Sequence, residues 1–521
     1  MTSQLLLTDF LDRAVHLYGN KKAIIDDAGN NYTYREVNER INQLSHGLEE
    51  IGITKGDRVA YLAPNTLEMY EGFYGIMQLG AIMVPLNIRL KPEEYKYILN
   101  HSESKVLFVD YELLHFIKPI INELKTIENI IVHGLGNDFD RFISYDNWLK
   151  NHSTLAFKRN VLDENDFCSL LYTSGTTGKP KGVILSHRNN YLHAMSAMHH
   201  LHVTDQDVLL HVLPMFHVNG WGSPFYYTAN GATQVMLRKV DSKIILQKMK
   251  EYSVTVMHMA PTVLGSIINT HEKMQPTIKQ DVRVVIAGAA PPKAFIKKIE
   301  EKIGWKFLHV YGMTETAPLS TTSYISSEDY DLTSDDYYRA KAKIGYEMIG
   351  SRVRVVNGDG EDVAKDGKEV GEIIVKGHGV MQGYWKDPHE TGRIIKDGWL
   401  YTGDMGTMDD RRRIEVVDRK KDIIISGGEN ISSIEVEDII FEHPAVNDCA
   451  VIPIAHKKWG ETPHALVVLK DGYHITEEEL IKFCRSRLAH FKCPSSVDFI
   501  KELPKTASGK VLKVQLKKTY T

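Results

Sequence analysis

The sequence predicts an α/β fold. A large N-terminal domain of two βαβ-type layered subdomains plus a small β-barrel-like subdomain precedes a small, mobile α+β C-terminal domain. Three observations carry that prediction. Short apolar, β-branched runs alternate with amphipathic helical stretches up to about residue 320, the rhythm of parallel-sheet βαβ units. The texture changes near residue 321 to short strands with Gly-rich turns. From about residue 419 a smaller unit mixes strands and helix again.

Taken in order, KAIIDD (22–27), DRVAYLAP (57–64), AIMVPLN (81–87) and SKVLFVDY (104–111) read as strands. The segment 31–52 reads as a long helix, because its apolar residues recur at three- and four-residue steps. The strand rhythm continues through FCSLLYT, ATQVMLR, VTVMHMA, VRVVIAG and KFLHVYG. An acidic, polar stretch around 328–336 reads as a solvated loop. GSRVRVVNGDGEDV, VGEIIVKG and RRIEVVD then give a compact β unit, and VNDCAVIPIA, HALVVLK and EEELIKFCRSRL the last α/β unit. The expected division is 1–417, with subdomains at about 1–170, 171–320 and 321–417, a tight hinge at Asp418, and a lid over 419–521.

Composition narrows the class of function. The 521 residues carry 63 Lys+Arg against 67 Asp+Glu, so there is no global electrostatic footprint for nucleic acid. No apolar run approaches the roughly 18 residues of a membrane helix. Acids and an Arg arrive too early in the N-terminal stretch for a signal peptide. The four cysteines, Cys168, Cys449, Cys484 and Cys493, match no zinc spacing and read as reduced thiols. The expectation is a cytoplasmic, multi-unit enzyme, with a homodimer compatible with the sequence.

Four segments carry chemistry. The first is Thr173, Ser174, Gly175, Thr176, Thr177, Gly178, Lys179, Pro180, Lys181, Gly182, which follows an apolar strand and precedes His187 and a helix. Glycines that leave backbone N–H groups open, clustered hydroxyls and two lysines are what a loop needs to wrap anionic oxygens. It is not a Walker A loop. The second, HVYGMTETAP, sets Tyr311, Gly312, Thr314 and Glu315 at a strand's C-terminal end: a ring face, a hydroxyl and a hard oxygen ligand for Mg²⁺. The third joins Asp404, placed to accept from a ribose diol, to Asp418, Arg419 and the pair Gly427–Gly428. The fourth, PKTASGK, puts Lys510 on a glycine-containing loop.

In this order and company the four segments closely resemble the adenylate-forming superfamily of acyl-CoA synthetases, peptide-synthetase adenylation domains and luciferases, over about residues 10–515. The resemblance implies an AMP-forming, acid–thiol ligase using ATP, Mg²⁺ and CoA, with a small-molecule carboxylic acid as substrate. It implies that the Ser174–Lys181 loop holds the β- and γ-phosphates, and that Gly288, Ala289 and Ala290 pack along the adenine while Tyr311 stacks on it. Thr314 is implied as the α-phosphate contact and Glu315 as the Mg²⁺ ligand. Asp404 and Arg419 are implied at the ribose, and Lys510 as the bridge between substrate carboxylate and α-phosphate. About Asp418 the C-terminal unit is expected to rotate, withdrawing Lys510 and bringing Gly427 and Gly428 up as a narrow pantetheine passage.

The segment LPMFHVNGWGSPFYY resembles the acyl pocket. Phe216–His217 stands where amino-acid-activating relatives have Phe-Asp, so an α-amino acid is disfavoured. His217, Val218 and Trp221, with Gly288 and Tyr311, are the expected substrate contacts. Small Gly220, Gly222 and Ser223 suggest room beside Trp221 for a chain. The leading expectation is therefore a medium- or long-chain fatty acid. A ligase of aryl or short, branched acids is the alternative, and a luciferase-like oxygenase using the acyl-adenylate is another. One departure stands out: Asp410–Arg411 replaces the family's usual Asp-Gly turn, which predicts a different turn or an altered loop length. Nothing after Lys510 suggests a fused carrier, so CoA is the expected acceptor.

Lys510→Ala is expected to abolish acyl-adenylate formation while still converting supplied acyl-adenylate and CoA to thioester. Equal loss in both half-reactions, measured separately, would contradict the two-conformation assignment.

Overall fold

The computed structural model describes residues 3–134, 142–173, 179–288, 293–329, 332–427, 429–505 and 511–520. Among these residues the strands form two large sheets and two small ones. The nine-stranded sheet runs Tyr346–Glu347, Leu319–Thr322, Lys306–Gly312, Arg283–Ile286, Val256–Met259, Val208–Leu210, Thr233–Val235, Lys22–Ile25 and Asn31–Thr33. Its interior pairs are parallel and its edges antiparallel. The eight-stranded sheet runs Gly383–Tyr384, Lys181–Ser186, Phe167–Thr173, Ile82–Pro85, Arg58–Leu62, Ser104–Asp110, Asn129–His133 and Ile143–Ser144. Strands covered on both faces need apolar side chains on both, and so the sequence shows near-continuous apolar runs rather than alternation.

The sheets do not follow a division at about residue 170. The first two strands of the chain join the nine-stranded sheet, with Ile24 opposite Gln234, and Gly383–Tyr384 reaches back to the eight-stranded one. Packing explains the exchange. Helices Thr8–Tyr18, Tyr34–Glu50 and Leu67–Gln78 contribute to one core, running from Leu7 to Tyr384, that both sheets share. Tyr34 Oη donates to the Ala232 carbonyl at 2.6 Å, tying the second helix to the distant strand. Leu67–Gln78 is buried along all its length except Glu68, and its buried Glu71 is answered by Arg40 and by Tyr145 Oη at 2.6 Å. The long helix starts later than its periodicity suggests. Residues Asn31–Thr33 pair as a strand, and Thr33 with Glu36 forms a capping box.

The β unit pairs Ser351–Val356, Gly371–Gly377, Trp399–Met408, Ile395–Lys396 and Ile414–Arg419 around Val353, Val355, Ile373, Val375 and Ile414. The C-terminal sheet contains Ile424–Ser426, Glu429–Ile431, Val446–His456, Gly460–Leu469 and Ser496–Phe499. Helices Ser433–Phe441 and Glu477–Arg485 close its core on Val436, Ile440, Leu480 and Cys484. All four cysteines are buried and free. No helix of the described residues is long and apolar enough to cross a membrane.

The acidic stretch at 328–336 is not simply a solvated loop. Ser334–Ala342 is a helix capped by Thr333, and Asp329 is buried against Arg411 and Arg413. These arginines explain the unusual turn. Arg412 takes φ +62° where a glycine would be expected, and its two neighbours grip Asp329. Burial alone would raise the Asp329 carboxyl, but the hydrogen bonds from Arg413 and Arg411 win and hold it below the usual carboxylate range. A lowered folded-state value stabilises above the unfolded carboxyl's titration and loses that contribution as pH falls through the folded value.

Arg413→Met, which leaves the buried Asp329 to Arg411 and the Ser326 N–H, should cost about 2 kcal/mol at neutral pH. It should also flatten the acid limb of the stability profile. Urea midpoints measured between pH 7 and pH 3 check both; an unchanged midpoint at pH 7 would show that the pair is not what fixes the loop.

Candidate active site

A cleft of about 2480 Å³ opens where strand ends from both large sheets, the β unit and the C-terminal unit converge. This is the C-terminal edge of the parallel strands, where open α/β sheets bind ligands. Its lining includes Thr173, Lys181, Gly288, Tyr311, Gly312, Thr314, Glu315, Asp404, Asp418 and Arg419. Four segments remote in sequence therefore meet in one place.

Each side chain has a structural reason for its position. Strand Lys306–Gly312 delivers Tyr311, and a single turn at Thr314–Thr316 follows. Gly312 cannot be replaced there, since a Cβ would fall 1.7 Å from the Pro318 carbonyl oxygen. Tyr311 Oη donates to Asp404 Oδ2 at 2.7 Å, and Arg419 Nε lies 2.5 Å from Asp404 Oδ1. Asp404 and Arg419 are cross-strand partners, so the ladder sets their separation. Burial, then the neighbouring Asp404, raises the Tyr311 hydroxyl well above its ordinary value, which keeps it a neutral donor. For Arg419 burial works against the charge, and Asp404 more than restores it.

Glu315 and Thr314 are buried beside this group, and Tyr384 Oη donates to Glu315 Oε1 at 2.7 Å. Burial and the Glu315 carboxylate both push the Tyr384 hydroxyl up, so it too stays protonated. Mg²⁺, as the resemblance implies, fits this donor set. Glu315 offers a hard carboxylate at the cleft, and no group of three or more His, Cys, Asp or Glu able to cage a metal occurs among the described residues. Magnesium is commonly held by one or two carboxylates plus substrate phosphates.

Thr173 and Lys181 face each other across the antiparallel pair that flanks the glycine-rich loop. Ser174, Gly175, Thr176, Thr177 and Gly178 lie outside the described residues, as do Ala289, Ala290, Gly428 and Lys510. Lys179 Nζ sits over the Tyr97 ring at 5.8 Å. Lys505 and Val511, which bracket the Lys510 loop, pair across a bridge and both border the cleft. Gly427 is not among the cleft residues. Its N–H donates to the Trp459 carbonyl at 2.8 Å, and a Cβ there would meet the Trp459 ring at 2.9 Å. Asp418 is buried and latched: Oδ2 accepts from the Ser433 N–H at 2.7 Å and from Ser433 Oγ at 2.6 Å.

The segment expected to form the acyl pocket has an unusual backbone. Val218, Asn219, Gly220, Trp221 and Gly222 have φ of 48°, 52°, 60°, 58° and 76°, a left-handed turn that includes a β-branched residue and a tryptophan. Such positions store strain and concentrate at ligand sites. His217, Val218 and Trp221 border the cleft. Gly220 and Gly222 themselves face packed side chains rather than open space. A Cβ on Gly220 would meet Ser223 Oγ at 3.2 Å, and one on Gly222 would meet the His193 ring at 3.1 Å. These glycines serve the turn and close packing rather than an open passage. Behind Trp221, the His258 ring stacks at 5.9 Å and 21°, with Tyr226 Oη and Tyr227 Oη on its two nitrogens at 3.4 and 3.2 Å. Burial depresses His258 to about 3, so the ring is neutral.

Sequence reasoning missed Tyr384, Glu390 and Arg393, which all border the cleft. The available signal was Gly383–Tyr384 followed by Asp387–Pro388, a strand leading into an N-capped helix.

The AMP-binding enzyme family matches residues 11–385, and the AMP-binding enzyme C-terminal domain matches residues 435–510. Butyrate–CoA ligase AAE11, peroxisomal, of Arabidopsis thaliana is 37% identical, covering 98% of this chain and 92% of the relative. The peroxisomal benzoate–CoA ligase of the same plant is 36% identical over 98% of this chain and 92% of its own length. Among solved structures, the anthranilate CoA ligase AuaEII in complex with anthranoyl-AMP superposes with a TM-score of 0.91 at 26% identity, covering 100% of this chain and 98% of that one.

Tyr384→Phe should leave the fold intact yet raise the Mg²⁺ concentration needed for half-maximal adenylation about tenfold or more, the usual cost of losing an outer hydrogen bond to a residue that would hold the metal. Magnesium titration of pyrophosphate release measures it. An unaltered magnesium midpoint would separate Tyr384 from the Glu315 role.

Proposed function

The chain belongs to the AMP-binding enzyme family and is an AMP-forming acid–CoA ligase, and from that premise we propose that its acid is short, branched or aryl rather than long-chain. One observation carries the choice: Trp221, its back against His258, forms the wall of the cleft's acyl end. His258 is itself pinned by Tyr226 and Tyr227, and the flanking glycines are packed against Ser223 and His193. A long alkyl chain would have to displace that aromatic layer. The butyrate and benzoate ligases among the relatives support the same reading.

In this reading Asp404 accepts from the ribose hydroxyls and Tyr311 offers its ring to the adenine. Thr314 donates to the α-phosphate, and Lys181 with the glycine-rich loop takes the β- and γ-phosphates. A carboxylate attacking the α-phosphorus is anion meeting anion, so positioning and charge compensation supply most of the catalysis. Lys510 bridges the two anions. Glu315 would hold Mg²⁺, which when bound offsets the charge of the phosphate oxygens. The new acyl–oxygen–phosphorus link forms as the bond to pyrophosphate breaks, and CoA thiolate then displaces AMP. The Asp418–Ser433 latch opens between the two steps, so that the C-terminal unit can exchange Lys510 for the Gly427 hairpin.

Pyrophosphate release from ATP is to be followed over linear C2–C18, branched and aryl acids, with and without CoA. The highest kcat/KM is expected among C3–C6, branched or aryl acids, with CoA required for turnover. A peak at C12–C18 would overturn the choice of acid, and CoA-independent turnover with oxygen uptake would favour the oxygenase. Trp221→Ala should move the optimum toward longer chains, raising kcat/KM for octanoate about tenfold while lowering it for butyrate.

A further inference from the structure

The wall of the cleft that presents Lys181 also carries an acid. Lys181 opens the strand Lys181–Ser186, on which the strand Gly383–Tyr384 pairs, and the Trp385 N–H donates to the Gly182 carbonyl at 2.7 Å. The helix Pro388–Ile394 therefore hangs from the same strand that holds the lysine. Its Glu390 has Oε1 2.5 Å from Lys181 Nζ, while Arg393 grips both carboxylate oxygens through Nε and Nη2 at 2.7 Å each. The side chains of Lys181 and Glu390 are each 13% exposed. Lys181 Nζ also lies 5.3 Å from the centre of the Tyr384 ring, whose hydroxyl reaches Glu315. All five residues border the cleft.

A carboxylate that joins two cations at the polyphosphate end of a cleft holds them much as a phosphate would, with two oxygens accepting from an ammonium and a guanidinium. We propose that Glu390 is a positioning residue that stands in for phosphate oxygens: it stores Lys181 and Arg393 in the empty site, yields them to the polyphosphate of ATP, and reclaims them as pyrophosphate leaves. Without such a stand-in, a departing polyanion would leave Lys181 unpaired in a largely enclosed wall, which holds the product back. The carboxylate competes at the high effective concentration of a tethered group. The proposal rests on the adenylate-forming reading above, but its test does not require turnover.

The test is calorimetric titration of Mg-pyrophosphate into the wild type, Glu390→Gln and Glu390→Asp, with pyrophosphate product inhibition measured alongside. Glu390→Gln is expected to bind pyrophosphate about tenfold more tightly, the scale of one charge-assisted contact. KM for ATP and kcat should fall together, and Glu390→Asp should recover much of the wild-type behaviour. In a Lys181→Met, Arg393→Met background, adding Glu390→Gln should change pyrophosphate affinity less than twofold. Unchanged or weaker pyrophosphate binding in Glu390→Gln overturns the proposal, whatever its thermal midpoint, and so does full tightening in the double-Met background. Wild type that releases no pyrophosphate with any acid would instead defeat the adenylate-forming reading.

Discussion

The Asp404 carboxylate is the point on which the site is assembled. One oxygen accepts from Tyr311 at the end of the nine-stranded sheet, and the other meets Arg419, the last residue of the β unit's strand Ile414–Arg419. Asp404 itself belongs to the β unit. A buried carboxylate with a single partner would be costly, and with two it is compensated. The nine-stranded sheet and the β unit are thereby tied together at the cleft, where the chain leads on into the C-terminal unit. Burial, reinforced by Asp404, keeps Tyr311 a neutral donor, and Asp404 keeps Arg419 a cation against its desolvation.

Asp418, one residue before Arg419 on the same strand, is where the proposed function sets the conformational side of the chemistry. Asp418 is fixed by the Ser433 N–H and hydroxyl at the N-terminus of the helix Ser433–Phe441, and Lys513 reaches the same serine at 2.5 Å and Glu437 at 2.7 Å. Lys513 is largely enclosed, and Glu437 and Asp418 outweigh the desolvation to keep it charged. A unit latched by charge-assisted bonds has discrete arrangements rather than a continuum, which would suit the proposed exchange of groups between the two half-reactions. In this arrangement the segments bracketing Lys510 border the cleft, and Gly427 packs on Trp459 instead.

Much of this was legible in the sequence because most parallel strands of the two large sheets are strongly apolar and YGMTET stands out at the end of one of them. YGMTET, YTGD and the Asp418–Arg419 pair needed only to be brought together, and the fold does that. What the sequence concealed depends on distant partners. The exchange of strands between the two sheets follows from helices whose apolar faces are shared, a property of packing that no local period records. Asp329 looked solvated because its arginines are far along the chain. The glycines of HVNGWG looked like open space. Their left-handed backbone and the His193 and Ser223 contacts show that small residues were required for a turn instead. Tyr384 and Glu390 went unnoticed because one aromatic and one acid beside a Pro have no motif.

The most direct measurement is a crystal structure with butyryl- or benzoyl-sulfamoyl-adenosine, stable stand-ins for the acyl-adenylate. The ribose hydroxyls should lie within hydrogen-bond distance of Asp404, with the adenine against Tyr311 and the acyl group ending at Trp221 without moving His258. A ribose turned away from Asp404, or an acyl group that displaces the Trp221–His258 stack, would contradict the assignment of the cleft.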